Sequence, residues 1–66
     1  MITVNNRDKI KWKKDITVAD ILKIMGYDYS LISVHVNDEF VSEDDYSEQT
    51  VPDNAKVAII HLAHGG

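Results

Sequence analysis

The feature that most constrains the fold of this sequence is one amphipathic helix, predicted between Thr17 and Gly26. The Thr17 hydroxyl can cap the amide three residues on, and Asp20 stands where the acid of a capping box stands. Apolar residues follow at i, i+3, i+4 and i+7: Val18, Ile21, Leu22 and Met25. Gly26 then occupies the position of a left-handed C-cap. The pattern therefore predicts a helix of about nine residues with one apolar face that must be covered.

Alternating runs before the helix predict a β-hairpin. Ile2 and Val4 alternate with polar residues, and residues 5–8 contain the Asn and Asp that favour tight turns. Residues 9–13 alternate again, with Ile10 and Trp12 on one face and lysines on the other. We interpret Trp12 as core or sheet-edge packing. The lysines fit the outer face of a strand better than a phosphate-binding cluster.

The third predicted strand, residues 31–36, separates two kinds of side chain. Its apolar residues share one face: Ile32, Val34 and Val36. Ser33 and His35 share the other face. Residues 40 and 41 are predicted to return beside it as a short strand, after which Ser42 can cap a brief turn of helix.

The final predicted strand, residues 56–62, follows a turn at residues 51–55. These elements predict an α+β fold, a sheet of four to five strands with one helix across one face, so the other face stays open. Val57 and Ile59 alternate with a second apolar set, consisting of Ala58, Ile60 and Leu62. Two interpretations remain for Ile60 and Leu62: they pack against loops, or they form an exposed protein-docking surface that His35 joins.

Composition excludes several classes of function. A chain of 66 residues makes one small domain, whose core is too thin for an enclosed, drug-sized active site. The net charge of −4 argues against nucleic-acid binding. The acids concentrate in residues 38–48, which form either a solvated face or a docking segment. Cysteine, a signal-peptide pattern and a membrane-spanning apolar run are all absent from the sequence, so we expect a cytoplasmic protein.

The chain ends in Gly65 and Gly66, shortly after the final strand. We predict a domain of residues 1–62 followed by a flexible tail of residues 63–66. Because the domain is too small to enclose an active site, any chemistry belongs on its surface or at an end of the chain. The two terminal glycines are therefore either a disordered stub or a chemically used C-terminus, whose reactive group would be the carboxylate of Gly66. A glycine tail lacks side chains and can therefore thread a narrow channel in a partner.

Four local features together have the order and spacing of a known family. They are the total length, the helix start TVADIL at residues 17–22, the segment VHVNDEFV at residues 34–41, and the ending from VPDNAKV at residues 51–57 to Gly66. They resemble the ThiS/MoaD family of prokaryotic sulfur carriers, and its ThiS-type members more closely. Two sites differ from the usual pattern. Residues 53–55 read Asp-Asn-Ala instead of Asp-Gly-Asp, although Asn also tolerates a left-handed conformation, and His64 replaces a small residue.

The resemblance implies a ubiquitin-like β-grasp with a mixed sheet, and a carrier protein rather than an enzyme. It implies that an E1-like, ThiF-like adenylyltransferase activates Gly66 with ATP and magnesium, while this chain itself binds no cofactor. Sulfur from a persulfide donor, such as a cysteine desulfurase, then replaces AMP and leaves a thiocarboxylate. A ThiG-like thiazole synthase receives that sulfur for thiamin thiazole synthesis. The expected partner-binding residues are His35, Ala58, Ile60, Leu62, Ala63 and His64.

Other functions remain open for the same sequence. A MoaD-like small subunit of molybdopterin synthase, or another sulfur carrier, would share the fold, although that subunit is usually longer and has prolines near its tail. A ubiquitin-like modifier would instead join Gly66 to lysines of target proteins. A plain protein-interaction domain would make no use of the two glycines.

The histidines near the C-terminus do not favour a metal site. His61 and His64 are three residues apart, and on an extended segment such positions face opposite sides. No third or fourth ligand lies near them in sequence, as a structural or catalytic metal would require. We therefore predict that they are surface or interface residues and that the protein holds no metal.

Overall fold

A five-stranded sheet with one α-helix across one face forms the body of the protein. The computed structural model describes residues 1–28 and 31–62. Its strands are β1 (Ile2–Val4), β2 (Asp8–Ile10), β3 (Ile32–Val36), β4 (Glu39–Val41) and β5 (Lys56–His61), with helix α1 at Val18–Met25 and a short 3-10 turn at Glu43–Asp45. The predicted element order is confirmed, including the brief turn of helix that Ser42 caps.

The sheet has the strand order β2-β1-β5-β3-β4. β1 and β5 run parallel, whereas β1–β2, β3–β4 and β3–β5 are antiparallel, so the predicted mixed sheet is confirmed. The last strand in sequence is therefore the middle strand in space. It is held on one side by β1 and on the other by β3, and the chain leaves the domain from the centre of the sheet.

Local capping defines both ends of α1. The Thr17 Oγ1 accepts a hydrogen bond from the Asp20 N–H at 3.2 Å, and the Asp20 carboxylate accepts one from the Thr17 N–H at 3.1 Å. Gly26 ends the helix in the left-handed conformation, with φ of 78°. The helix has eight residues, close to the predicted length. Within the described ranges, no helix is long and apolar enough to cross a membrane.

The core lies between α1 and the inner face of the sheet. Its largest fully buried side chains come from β1, α1, β3 and the segment before the helix: Ile2, Val4, Ile16, Val18, Ile21, Leu22 and Val34. Three of the four residues in the predicted helix stripe are buried, and Met25 packs half-buried beside them. Burial of this kind stabilises a fold by about 25 cal/mol per Å2 of apolar surface.

The second strand is shorter than the alternating pattern predicts. Ile10 pairs with Ile2, the first residue of β1, so β1 offers no partner to residues 11–13. Trp12 therefore lies beyond the strand, half-buried against the core, and its Nε1 donates a hydrogen bond to the Val51 carbonyl oxygen at 2.8 Å. The packing role predicted for Trp12 is confirmed. The prediction that the lysines after Ile10 form the outer face of a strand is wrong.

Short polar residues supply the left-handed conformations of the tight turns. Asn54, where the family pattern has Gly, has φ of 64°, which confirms that Asn serves at this site. The neighbouring Asp53 accepts a hydrogen bond from the Met1 ammonium group at 2.8 Å, and this bond lowers the pKa of the Asp53 carboxyl. Leu31 also has a left-handed conformation, with φ of 60°, although its side chain is apolar and exposed.

Candidate functional site

The candidate site is built on β5, whose alternate residues face opposite sides of the sheet. Val57 and Ile59 point into the core and are 2% and 4% exposed. Ile60 and Leu62 point away from it and are each 50% exposed. Of the two interpretations of Ile60 and Leu62, packing against loops is therefore wrong, and an exposed apolar surface is what the structure contains.

Neighbouring strands extend this surface into a patch on the open face of the sheet. His35 pairs with Ala58 on one side and with Phe40 on the other, while Ser33 pairs with Ile60. Register partners lie on the same face, so these side chains are neighbours. We name this surface the open-face patch, and it consists of His35, Phe40, Ala58, Ile60 and Leu62. The structure thus brings together the four described residues predicted to bind partners.

His35 lies half-buried in the middle of the patch. Its Nε2 is 3.1 Å from the Ser33 Oγ, within hydrogen-bond distance. Its ring meets the Phe40 ring edge to face, with the ring centroids 5.7 Å apart. These contacts hold the imidazole against the sheet. A shallow depression of about 290 Å3 adjoins it, lined by Asn5, Asn6, His35, Asp38, Lys56, Val57 and Ala58.

Phe40 is a member of the patch that the sequence interpretation missed. It is 66% exposed, the largest exposed fraction among the large apolar side chains of residues 1–28 and 31–62. The sequence contained a signal for it. If residues 39–41 return antiparallel to residues 34–36, the central residue faces the same way as His35. The short return strand at residues 40 and 41 is predicted, but the face of the sheet on which Phe40 lies is not part of that prediction.

His61 lies apart from the open-face patch. It pairs with Ile32 and so faces the helix side of the sheet, where its ring centroid is 5.2 Å from that of Tyr27. In the described part of the chain, no three His, Cys, Asp or Glu side chains group as metal ligands do. The absence of a metal site remains a prediction, since His64 lies outside the described residues.

The predicted tail also lies outside the described residues. This applies to the predicted reactive group on Gly66, to Gly65, and to the partner-binding residues Ala63 and His64. The last described contact before them is the hydrogen bond from the Leu62 N–H to the Leu31 carbonyl oxygen, 2.8 Å long. The ladder between β3 and the C-terminal segment therefore continues one residue beyond the end of β5.

The two outer strands of the sheet carry opposite charge. Basic residues lie in or directly beside β2: Arg7, Lys9 and Lys11. Acidic residues lie in or directly beside β4, at Asp38 and Glu39, and more follow in the 3-10 turn, at Glu43, Asp44 and Asp45. Since β2 and β4 are the opposite edges of the sheet, the charge is separated across the width of the molecule. Whether the acidic segment is a solvated face or a docking segment stays open.

Comparison with known proteins identifies the family. The model of the ThiS family matches residues 2–66. The chain belongs to the ThiS family. A similar protein, the sulfur carrier protein ThiS of Bacillus subtilis (strain 168), is 31% identical over 67 residues, which cover 100% of both chains.

Solved structures of a thiamine biosynthesis protein (ThiS) from Geobacter metallireducens share the fold. The crystal structure superposes with a TM-score of 0.79 at 21% identity, covering 98% of this chain and 97% of the other. The solution structure by NMR gives a TM-score of 0.76 at 21% identity, covering 98% and 86%. The ubiquitin-like β-grasp fold predicted for this ThiS family member is confirmed.

Proposed function

We propose that this protein is a sulfur carrier for the synthesis of the thiamin thiazole, and that its C-terminal Gly66 carries the sulfur as a thiocarboxylate. The observation that supports this most strongly is the full-length match to a protein named a sulfur carrier, with 31% identity over both chains. The family match also extends through Gly66, so it includes the residue that would react.

The chemistry requires activation by another protein. A C-terminal carboxyl has a pKa of about 3.5 in model peptides, so near neutral pH it is a carboxylate and a poor electrophile. An adenylyltransferase would convert it to an acyl-adenylate with ATP and magnesium, releasing pyrophosphate. The terminal sulfur of a persulfide would then attack the acyl carbon and release AMP, which leaves an acyl disulfide. A thiol that attacks the donor's sulfur would break the S–S bond, release the thiocarboxylate and leave the donor as a disulfide. The protein acts here as a co-substrate and supplies no catalytic group.

The open-face patch is the proposed docking surface for these partners. Ile60 and Leu62 are each half-exposed directly before the predicted tail, and Phe40 adds exposed apolar area on the β4 side of His35. Exposed apolar patches rimmed by charge are characteristic of protein-interaction sites. Docking there would place the C-terminus of this chain close to the bound enzyme. The proposed partners are a ThiF-like adenylyltransferase and a ThiG-like thiazole synthase, with a cysteine desulfurase as sulfur source.

Intact-mass measurement tests the proposal. The protein is incubated with a ThiF-like adenylyltransferase, ATP, magnesium, a persulfide donor and a thiol reductant. We expect the mass gain of one sulfur replacing one oxygen, and its loss in a variant that lacks Gly66. Absence of the gain with an adenylyltransferase that activates a control ThiS protein would refute the proposal.

Two further measurements separate the competing functions. Covalent conjugates with other proteins in a cell extract would indicate a ubiquitin-like modifier. Transfer of the sulfur to the large subunit of a molybdopterin synthase, and not to thiazole synthase, would indicate the MoaD-like function.

A further inference from the structure

The parallel ladder between β1 and β5 ends halfway along β5. Its register pairs are Thr3 with Lys56 and Val4 with Val57. β1 ends at Val4, whereas β5 continues to His61. Within residues 1–28 and 31–62, no strand of the sheet lies beside Ile59–His61 on this side, because β1 is the neighbour of β5 there and has already ended.

Asn5 marks the point at which the ladder stops. Its N–H still donates to the Val57 carbonyl oxygen at 2.8 Å, as the next rung requires. At the following rung, the Ile59 N–H is bound by the Asn5 side-chain Oδ1 at 2.7 Å instead of by a backbone oxygen. With φ of 54°, Asn5 turns the chain away toward β2. The side chain therefore terminates the ladder by replacing one backbone acceptor.

Backbone groups of successive residues in β5 point alternately toward β3 and toward the side on which β1 has ended. The backbone groups of Lys56 and Leu62 point toward β3 and the residues next to it. The Asn37 N–H donates to the Lys56 carbonyl oxygen, and the Leu62 N–H donates to the Leu31 carbonyl oxygen. Even-numbered residues of β5 thus bond toward β3, and odd-numbered ones face β1. The Ile59 carbonyl oxygen and the His61 N–H and carbonyl oxygen consequently point to the side where β1 has ended.

We propose that this half-edge, Ile59 to His61, accepts an extended segment of the adenylyltransferase by β-strand addition. This inference rests on the proposed function and specifies how the activating enzyme holds the carrier. A row of backbone donors and acceptors selects an extended backbone as its partner. The added strand would lie collinear with β1, beyond the loop that starts at Asn5.

The position of the half-edge relates it directly to the reaction. It is the last stretch of β5, with Ile60 of the open-face patch inside it and Leu62 of the same patch directly after it. An enzyme strand bonded here would fix the direction in which the chain leaves the sheet. Backbone pairing needs no particular side chain at position 61. Every second side chain of the added enzyme strand would lie on the open face of the sheet and contact the open-face patch.

Proline substitution tests the proposal with a matched control. His61→Pro removes the outward N–H, and proline is tolerated where a strand N–H faces away from the sheet. His61→Ala removes the same imidazole and keeps the N–H. We expect His61→Pro to raise the KM for adenylation about tenfold relative to His61→Ala, the effect of one hydrogen bond. Equal KM values for two folded variants would overturn the inference while leaving the proposed function intact.

Amide hydrogen exchange on the wild-type protein gives a second test that needs no variant. The Leu62 amide, bonded within the chain, is expected to be protected both free and in the complex with the adenylyltransferase. The His61 amide is expected to exchange fast in the free protein and to become protected in the complex. If the His61 amide gains no protection on binding, the inference is wrong. Sulfur loading of the same sample, measured by mass, reports separately on the proposed function.

Discussion

Asn54 shows how a short polar residue can form a tight turn in place of glycine. It holds φ of 64° in the turn before β5, where most residues with a Cβ are strained. We predict that Asn54→Ala lowers the free energy of unfolding by up to about 1 kcal/mol, because Ala lacks the local hydrogen bonding of Asn. Asn54→Gly is the control and should be at least as stable as the wild type. Urea denaturation measures both, and an Asn54→Ala variant of unchanged stability would contradict the argument.

Asp20 links the stability of the helix to pH. The hydrogen bond from the Thr17 backbone N–H, more than any other cause, lowers the pKa of the Asp20 carboxyl. Its folded pKa lies below its unfolded one, so the carboxylate stabilises the fold above the unfolded pKa. That contribution is lost as the pH falls through the folded pKa.

Replacement of this carboxylate should therefore make the free energy of unfolding less dependent on pH at acid pH. We predict that Asp20→Asn is less stable than the wild type at neutral pH and that the difference shrinks as the pH falls below the carboxyl range. Asn keeps an oxygen that can accept from the Thr17 N–H, so the comparison isolates the charge. Thermal unfolding at several pH values measures the effect. A difference that does not change with pH would count against it.

β5 is the strand in which neighbouring residues have opposite roles. Ile59 is 4% exposed and Ile60 is 50% exposed, although both are isoleucines in one strand. We predict that Ile59→Val lowers the free energy of unfolding by about 1 kcal/mol, whereas Ile60→Val changes it by much less. Adenylation kinetics should show the reverse order. Equal stability losses in chemical denaturation would mean that the two faces of β5 are not distinct.

The elements differ in how well they could be predicted from sequence. α1 is almost as predicted because its signals are local, from the Thr17 cap to Gly26. The end of β2 is not predictable from its own residues, since it depends on where its partner β1 begins. The position of Phe40 in the open-face patch likewise depends on another segment, since it follows from the pairing with His35. The end of β2 and the position of Phe40 therefore depend on contacts between distant segments, which the local sequence pattern does not contain.

The two sides of the molecule allow a matched test of docking. Ile60 and Leu62 lie on the open face, while Ile24, 58% exposed, lies on the outer surface of α1. We predict that Ile60→Asp and Leu62→Asp each raise the KM for adenylation by about tenfold or more, as for central interface residues. Ile24→Asp should leave it unchanged. Circular dichroism establishes that each variant folds, and equal effects of Ile24→Asp and Ile60→Asp would contradict docking on the open face.

The central position of β5 also has a mechanical consequence. In the proposed function, an enzyme that draws the C-terminus into its active site would pull along β5, which is bonded to β1 on one side and to β3 on the other. Such a force loads these hydrogen bonds in shear, so that several must break together, whereas an edge strand would peel off one bond at a time. The hydrogen bonds on both sides of β5 would therefore let the domain resist such a pull without unfolding.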